Sequence, residues 1–198
     1  TVRRIGLGVM GLHTALMESG IRYGSEVSLE FVGKLFKFIR DTAYNSSIDL
    51  AIEKGAFHVY DERMLDSGFA MGLPDAIRSR IREHGIRNCA LLTIAPTGTT
   101  GMVQGVSTGI EPLFAPAYYR RWWEGDLRRK ELVISNEYIK YGDLAEGAYD
   151  ISVEGHFAMQ AAIQPYIDNA VSKTINIPAD YPIERLSEVW LKYLPQLK

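Results

Sequence analysis

Between Leu29 and Lys54 the chain reads LEFVGKLFKFIRDTAYNSSIDLAIEK, and its apolar residues fall on one helical stripe. Leu29, Val32, Leu35, Phe36, Ile39, Ala43, Ile48 and Ala51 recur at i, i+3, i+4 and i+7, the spacing of an amphipathic helix with one buried face. Ser28 is placed to cap its start, and Gly55 stands where a helix C′ residue belongs. So long a stripe needs a core to lie on, and the rest of the chain must supply it.

The next constraint is NCALLTIAP, residues 88–96, a continuous apolar run of the kind expected for a buried strand of parallel type. Helices are expected over residues 9–18, over DAIRSRIREHG behind Pro74, within 131–141, and over VEGHFAMQAAIQ behind Ser152. Pro165 is expected to begin or kink another, PYIDNAVSK, and Pro182 to open a last one, IERLSEVWLKYL. TINIP reads as a short strand and residues 57–72 as irregular. Strands alternating with helices give an α/β class.

Charge narrows the function. A formal net charge of -2 argues against a generic DNA, RNA or membrane surface, which would cluster Lys and Arg. The one basic knot, YYRRWW followed by DLRRK, is interleaved with Glu124 and Asp126 and reads as a solvated surface or partner contact. The lone cysteine, Cys89, excludes an internal disulfide and any CxxC motif, and it reads as a small buried hydrophobe. No apolar run reaches membrane-span length and no signal peptide is visible, so a cytoplasmic protein is expected. Starting at Thr1 rather than Met, the chain reads as a fragment.

Two loops could hold a phosphate. GLGVMG supplies G-x-G-x-x-G at Gly6, Gly8 and Gly11, but a dinucleotide turn also needs a second strand ending in an acid about 20 residues on. That position falls at Glu26 to Glu30, in the start of the long helix. These glycines therefore read as a tight, close-packed entry into a helix, and a nicotinamide-dependent dehydrogenase has no other support. In APTGTTG, Thr97, Thr99 and Thr100 offer hydroxyls, while Gly98 and Gly101 let backbone amides approach an anion. No G-K-[ST] follows, so any phosphate is positioned rather than transferred. On physics alone an anion nest and a Thr-rich capping turn fit equally.

TIAPTGTTGMVQGVSTGIEPLFAPAYYRR resembles the substrate-phosphate loop and following strand of ribonucleotide reductase large subunits, in the adenosylcobalamin-dependent (class II) form. RRIGLGVMGL, AYNSSIDLAIEKGAF and HFAMQAAIQPYIDNAVSKTINIP resemble three further landmarks of that family in the right order. The resemblance implies the C-terminal half of a ten-stranded α/β barrel, its helices packed around a mostly parallel half-sheet, with residues 1–198 a partial catalytic domain. It implies reduction of ribonucleoside di- or triphosphates to deoxyribonucleotides by thiyl-radical chemistry, with adenosylcobalamin as cofactor. Pro96, Thr97, Gly98, Thr99 and Thr100 would hold the substrate phosphates; Gly101 replaces the serine more usual there. Glu111 and Pro112 would shape the strand behind the loop, and Ser172, Lys173, Thr174 and Asn176 would sit by a barrel strand in a structural role.

The radical and redox cysteines of the family precede RRIGLGVMG, and Cys89 matches none of them, so no catalytic residue is expected here. His13, His58, His84 and His156 lack metal spacing, and Asp168 and Glu154 read as helix-surface charges. Half a barrel leaves a sheet edge and an apolar face, so dimerisation, or binding of the missing N-terminal half or a split-subunit partner, is expected. The alternative is a nucleotide- or phosphate-binding module without redox activity.

Overall fold

In the computed structural model, which describes residues 2–198, the long stripe becomes α2, Glu26–Lys54. Its cap is Ser25, not Ser28: the Ser25 hydroxyl accepts the Ser28 N–H at 3.2 Å, and Ser28 is buried one turn inside. Gly55 ends the helix at φ 79, a backbone angle that costs glycine nothing. Val32, Phe36, Tyr44 and Ile48 on its inner face are buried. They pack against α4, Asp75–His84, and α7, Val153–Ile163. The remaining helices are α1 (Leu12–Glu18), α3 (Gly68–Met71), α5 (Gly98–Gln104), α6 (Asn136–Tyr141) and α8 (Ile183–Tyr193).

Three extended segments run parallel beneath α2, with NCALLTIAP in the middle. Leu7 N–H donates to Leu91 O at 2.7 Å and Thr93 N–H to Leu7 O at 2.9 Å on one side. On the other, Ile94 N–H donates to Ala170 O at 3.1 Å and Ser172 N–H to Ile94 O at 2.9 Å. These segments meet through single parallel bridges, Leu7 to Leu92 and Ile94 to Val171. The expected half-sheet is thus present only as this three-segment array. Among the described residues the one regular sheet is a two-stranded antiparallel hairpin, β1 (Ala117–Glu124) with β2 (Leu127–Ile134).

Several expectations need correction. The hairpin replaces the first part of the helix expected within 131–141, leaving only α6. Its turn is Gly125–Asp126, with Gly125 at φ 58, a two-residue connection suited to antiparallel strands. No helix follows Pro165: one 3₁₀ turn, Gln164–Tyr166, gives way to extended chain, because residues 169–172 are drawn into the array. TINIP forms no strand, the pairing having been made upstream at Val171. Residues 57–72 hold a 3₁₀ turn, Glu62–Asp66, and α3.

Asp168 is not a helix-surface charge. Its carboxylate accepts the Leu91 N–H at 2.7 Å, the Leu92 N–H at 2.8 Å and the Tyr44 hydroxyl at 2.8 Å. One acid thereby fastens the middle segment to α2 at the point where the array begins. Glu154 does stand near the surface, where it pairs with Arg185 at 3.1 Å. Cys89 is half-buried and packs on the core.

Candidate functional site

The middle segment leads straight into the Thr-rich loop. Past Ile94 the chain leaves the array, Ala95 and Pro96 are exposed, and Thr97 turns it at φ 45, ψ 30. A β-branched residue in the left-handed region is strained, so the surroundings must hold it there. Two bonds do so: Thr97 Oγ1 accepts the Gly109 N–H at 2.7 Å, and Thr97 O accepts the Gly101 N–H at 2.8 Å.

Thr97 thereby sits at the cap position of α5, and Gly98, Thr99 and Thr100 form its exposed first turn. Amides of a first helical turn have no partner within the helix, so three N–H groups here lack one, on an exposed turn that also carries two threonine hydroxyls. Gly101 behind them is buried. A Cβ there would lie 3.0 Å from Thr108 Cγ2 and 3.2 Å from Val106 O, which accounts for glycine where a serine is more usual. The return chain is laced to α1: Thr14 Oγ1 accepts the Ser107 N–H at 2.9 Å and Ser107 Oγ accepts the Thr14 N–H at 3.2 Å.

A cavity of about 260 Å³ opens beside the loop, and its lining unites both glycine-bearing motifs. Thr97, Thr100, Ala95 and Thr93 form one wall; Gly6, Gly8, Val9 and Met10 form the other. Sequence reasoning missed this second wall. The glycines are there for closeness: a Cβ on Gly8 would lie 2.2 Å from Thr93 O, and one on Gly6 2.8 Å from Thr93 Cγ2. Gly11, at φ 82, then turns the chain into α1. The close-packed entry into a helix is what the structure shows, and the same backbone closes the cavity.

Behind the loop lies a buried polar cluster. Lys173, its side chain wholly buried, donates from Nζ to Glu111 Oε2 at 2.5 Å and to His156 Nδ1 at 2.9 Å. Glu111 Oε1 accepts the Thr174 N–H at 2.7 Å, and His156 Nε2 donates to Ala148 O at 2.9 Å. Burial lowers the Lys173 pKa, against the pull of Glu111. Burial, and then the Lys173 charge, lowers that of His156 to about 4, so this ring is neutral and accepts from the lysine. The cluster joins the end of the loop to the third extended segment and α7, a positioning role. Ser172 extends that segment; no side-chain bond places Thr174 or Asn176 in the cavity.

His13 is likewise structural. Its Nδ1 accepts the Leu113 N–H at 3.0 Å and its Nε2 donates to Leu144 O at 3.3 Å, while burial pushes its pKa down to about 4 against that second bond. His58 and His84 are exposed. Among the described residues no cluster of three or more His, Cys, Asp or Glu could hold a metal ion, and no helix is long and apolar enough to cross a membrane.

A family described as ribonucleotide reductase, barrel domain, matches residues 1–193. The vitamin B12-dependent ribonucleoside-diphosphate reductase of Mycobacterium tuberculosis is 31% identical over 96% of this chain and 29% of its own length. That of Thermoplasma acidophilum is 32% identical over 95% of this chain and 26% of its own. The ribonucleoside-diphosphate reductase subunit alpha of Treponema pallidum is 28% identical over 96% and 23%. The chain thus spans less than a third of each of these relatives.

Proposed function

This chain belongs to the ribonucleotide reductase family, as barrel-domain sequence, and from that premise we propose that it supplies the substrate-phosphate loop of an enzyme that reduces ribonucleotides to deoxyribonucleotides. The observation that carries the reading is the turn at Thr97. A strained residue, held by two hydrogen bonds, starts a helical turn whose exposed Gly98, Thr99 and Thr100 amides lack helical partners, and Thr97 and Thr100 line a cavity that Gly6 and Gly8 wall on the other side. Donors fixed in advance suit a phosphate, because little ordering remains to be done on binding. Pro96 stiffens the approach by fixing its own φ. No carboxylate lines this cavity to repel an anion.

The redox chemistry belongs elsewhere in the protein. Cys89, the only thiol, is half-buried against the core and does not line the cavity. The relatives' names imply adenosylcobalamin, a source of the radical that starts reduction. The residues here do not fit a dedicated corrin ligand: His13 and His156 have both ring nitrogens engaged, and His58 and His84 lie outside the cavity lining. No step is assigned to that group in this segment, whose part is to hold and orient the substrate. Alone, the chain binds phosphate without reducing anything.

The ten-stranded barrel is part of the same reading. Segment 5–7 has no partner on its outer edge among the described residues, and Ile5, Leu7, Phe38 and Leu50 are exposed around a cavity of about 330 Å³ there. An open edge beside apolar side chains invites further strands, and the N-terminal half of the barrel is the proposed occupant, with a second copy the alternative.

Amide NMR of the chain titrated with CDP and with pyrophosphate tests the loop. Shifts should concentrate at Gly98, Thr99 and Thr100 and reach Gly6 and Gly8. Gly6→Val, which crowds Thr93, should weaken binding by at least about tenfold. Shifts confined to other surfaces would overturn the assignment.

A further inference from the structure

The basic knot of the sequence takes no part in lining the cavity, and the hairpin shows what it is. Every residue of β1 is exposed, as is every residue of β2 but the half-buried Val133, so the ribbon has two open faces. Opposed residues of an antiparallel pair share a face, and neighbours along a strand alternate. The register pairs Tyr119 with Leu132, Arg121 with Lys130 and Trp123 with Arg128 on one face. On the other it pairs Arg120 with Glu131 and Trp122 with Arg129, with Glu124 beyond them.

The two faces differ in kind. The second neutralises itself, with two cations and two acids and Arg129 bonded to Glu124 at 2.7 Å. The first carries Arg121, Arg128 and Lys130 and no acid, among Tyr119, Trp123 and Leu132. Trp123 is 69% exposed, and Lys130 Nζ lies 3.6 Å from the centre of the Tyr119 ring for want of a carboxylate. Both outer edges are also open: among the described residues each strand pairs only with the other. A two-stranded ribbon is marginal by itself, and a third strand would stabilise it.

We propose that this ribbon is a docking surface for an extended acidic segment of another protein, which adds to it as a third strand with Asp or Glu at alternate positions. The edge supplies main-chain hydrogen bonds, and the period of two fixes which side chains face the cations. On the open edge of β2, acids at i and i+2 lie beside Arg128 and Lys130, with Arg121 behind Lys130 on the opposing strand, while the residues between them fall on the neutral face. A nucleic acid would use the cations and aromatic rings but not the edge, and three cations give it few phosphate contacts.

Fluorescence anisotropy tests it, with a labelled peptide of about eight residues alternating Glu and Val titrated with the whole chain at low salt. Saturable binding is expected, weakened at least about tenfold by Arg121→Glu with Lys130→Glu and by less than about twofold by Arg120→Gln on the neutral face. Methylating the peptide's backbone nitrogens on alternate residues should abolish it in one of the two registers. These side chains are exposed, so far-UV circular dichroism should be unchanged and the comparison stays one of folded proteins. Absence of saturable binding, equal binding of a peptide with the same residues in two blocks, or equal binding of both methylated peptides would overturn the proposal. Tighter binding of oligo-dT than of the peptide would also overturn it, in favour of single-stranded nucleic acid.

Discussion

The segment around Leu92 and the ribbon around Trp123 are both extended chain, and they are held in opposite ways. Leu92 is buried, bridged to Leu7, and fastened through its amide to Asp168. Trp123 is exposed, and its register comes from the strand opposite and a two-residue turn. In the first case distant parts of the chain decide the conformation; in the second a local pairing does. Substitutions near Leu92 should therefore reach the whole fold, and substitutions near Trp123 should change only what the surface binds.

Asp168→Ala is the hardest test of the contrast. It strands two backbone amides and the Tyr44 hydroxyl at once, and should cost about 3–5 kcal/mol by urea denaturation. A loss no larger than that of a surface variant would mean that the carboxylate does not fasten the middle segment.

Acid should act on the same side of the comparison. His13 and His156 are held neutral, with pKa values of about 4 against 6.5 for an ordinary histidine. Between those values the unfolded chain binds more protons than the folded one, so stability is whole above pH 6.5 and falls as pH drops toward 4. By pH 5 each ring should remove about 1–2 kcal/mol. Denaturation midpoints at pH 7 and pH 5 measure this, and a midpoint that rises on acidification would contradict it.

Gly8→Ala places a methyl group against Thr93 O and should cost about 2 kcal/mol while weakening phosphate binding. Thermal melts and a pyrophosphate titration read the two effects together. Glu124→Gln, which removes the ribbon's ion pair with Arg129, should change stability by less than about 0.5 kcal/mol. A larger change would show that the ribbon is tied to the rest of the molecule after all.

Legibility followed the same division. Helices that bury one face announced themselves: the stripe of α2, the Pro74 start of α4 and the Pro182 start of α8 all lie where the sequence puts them. The ribbon was missed because AYYRRWWE changes polarity in pairs, so it fits neither period, and nothing is buried to impose one. The usable signal was Gly125–Asp126, a two-residue hairpin turn. Asp168 was misread because its partners are backbone amides far back in the chain, and backbone amides leave no mark in a sequence. The Thr-rich loop was legible as a chemical possibility; its facing wall was not, because Gly8 and Thr93 meet only through the array.

That array also sets an order of events. Its middle member, at Leu92 and Ile94, lies between its neighbours, at Leu7 and Val171, in the order of synthesis. During synthesis Leu92 can be joined to Leu7 early, but Ile94 stays open on its other side until Val171 has been made. Loops that long are slow to close, so the Thr-rich loop, anchored on Ile94, should become rigid only after residues 169–172 have joined the array. Until then the nascent chain carries an unpaired apolar strand, the kind of surface that chaperones bind.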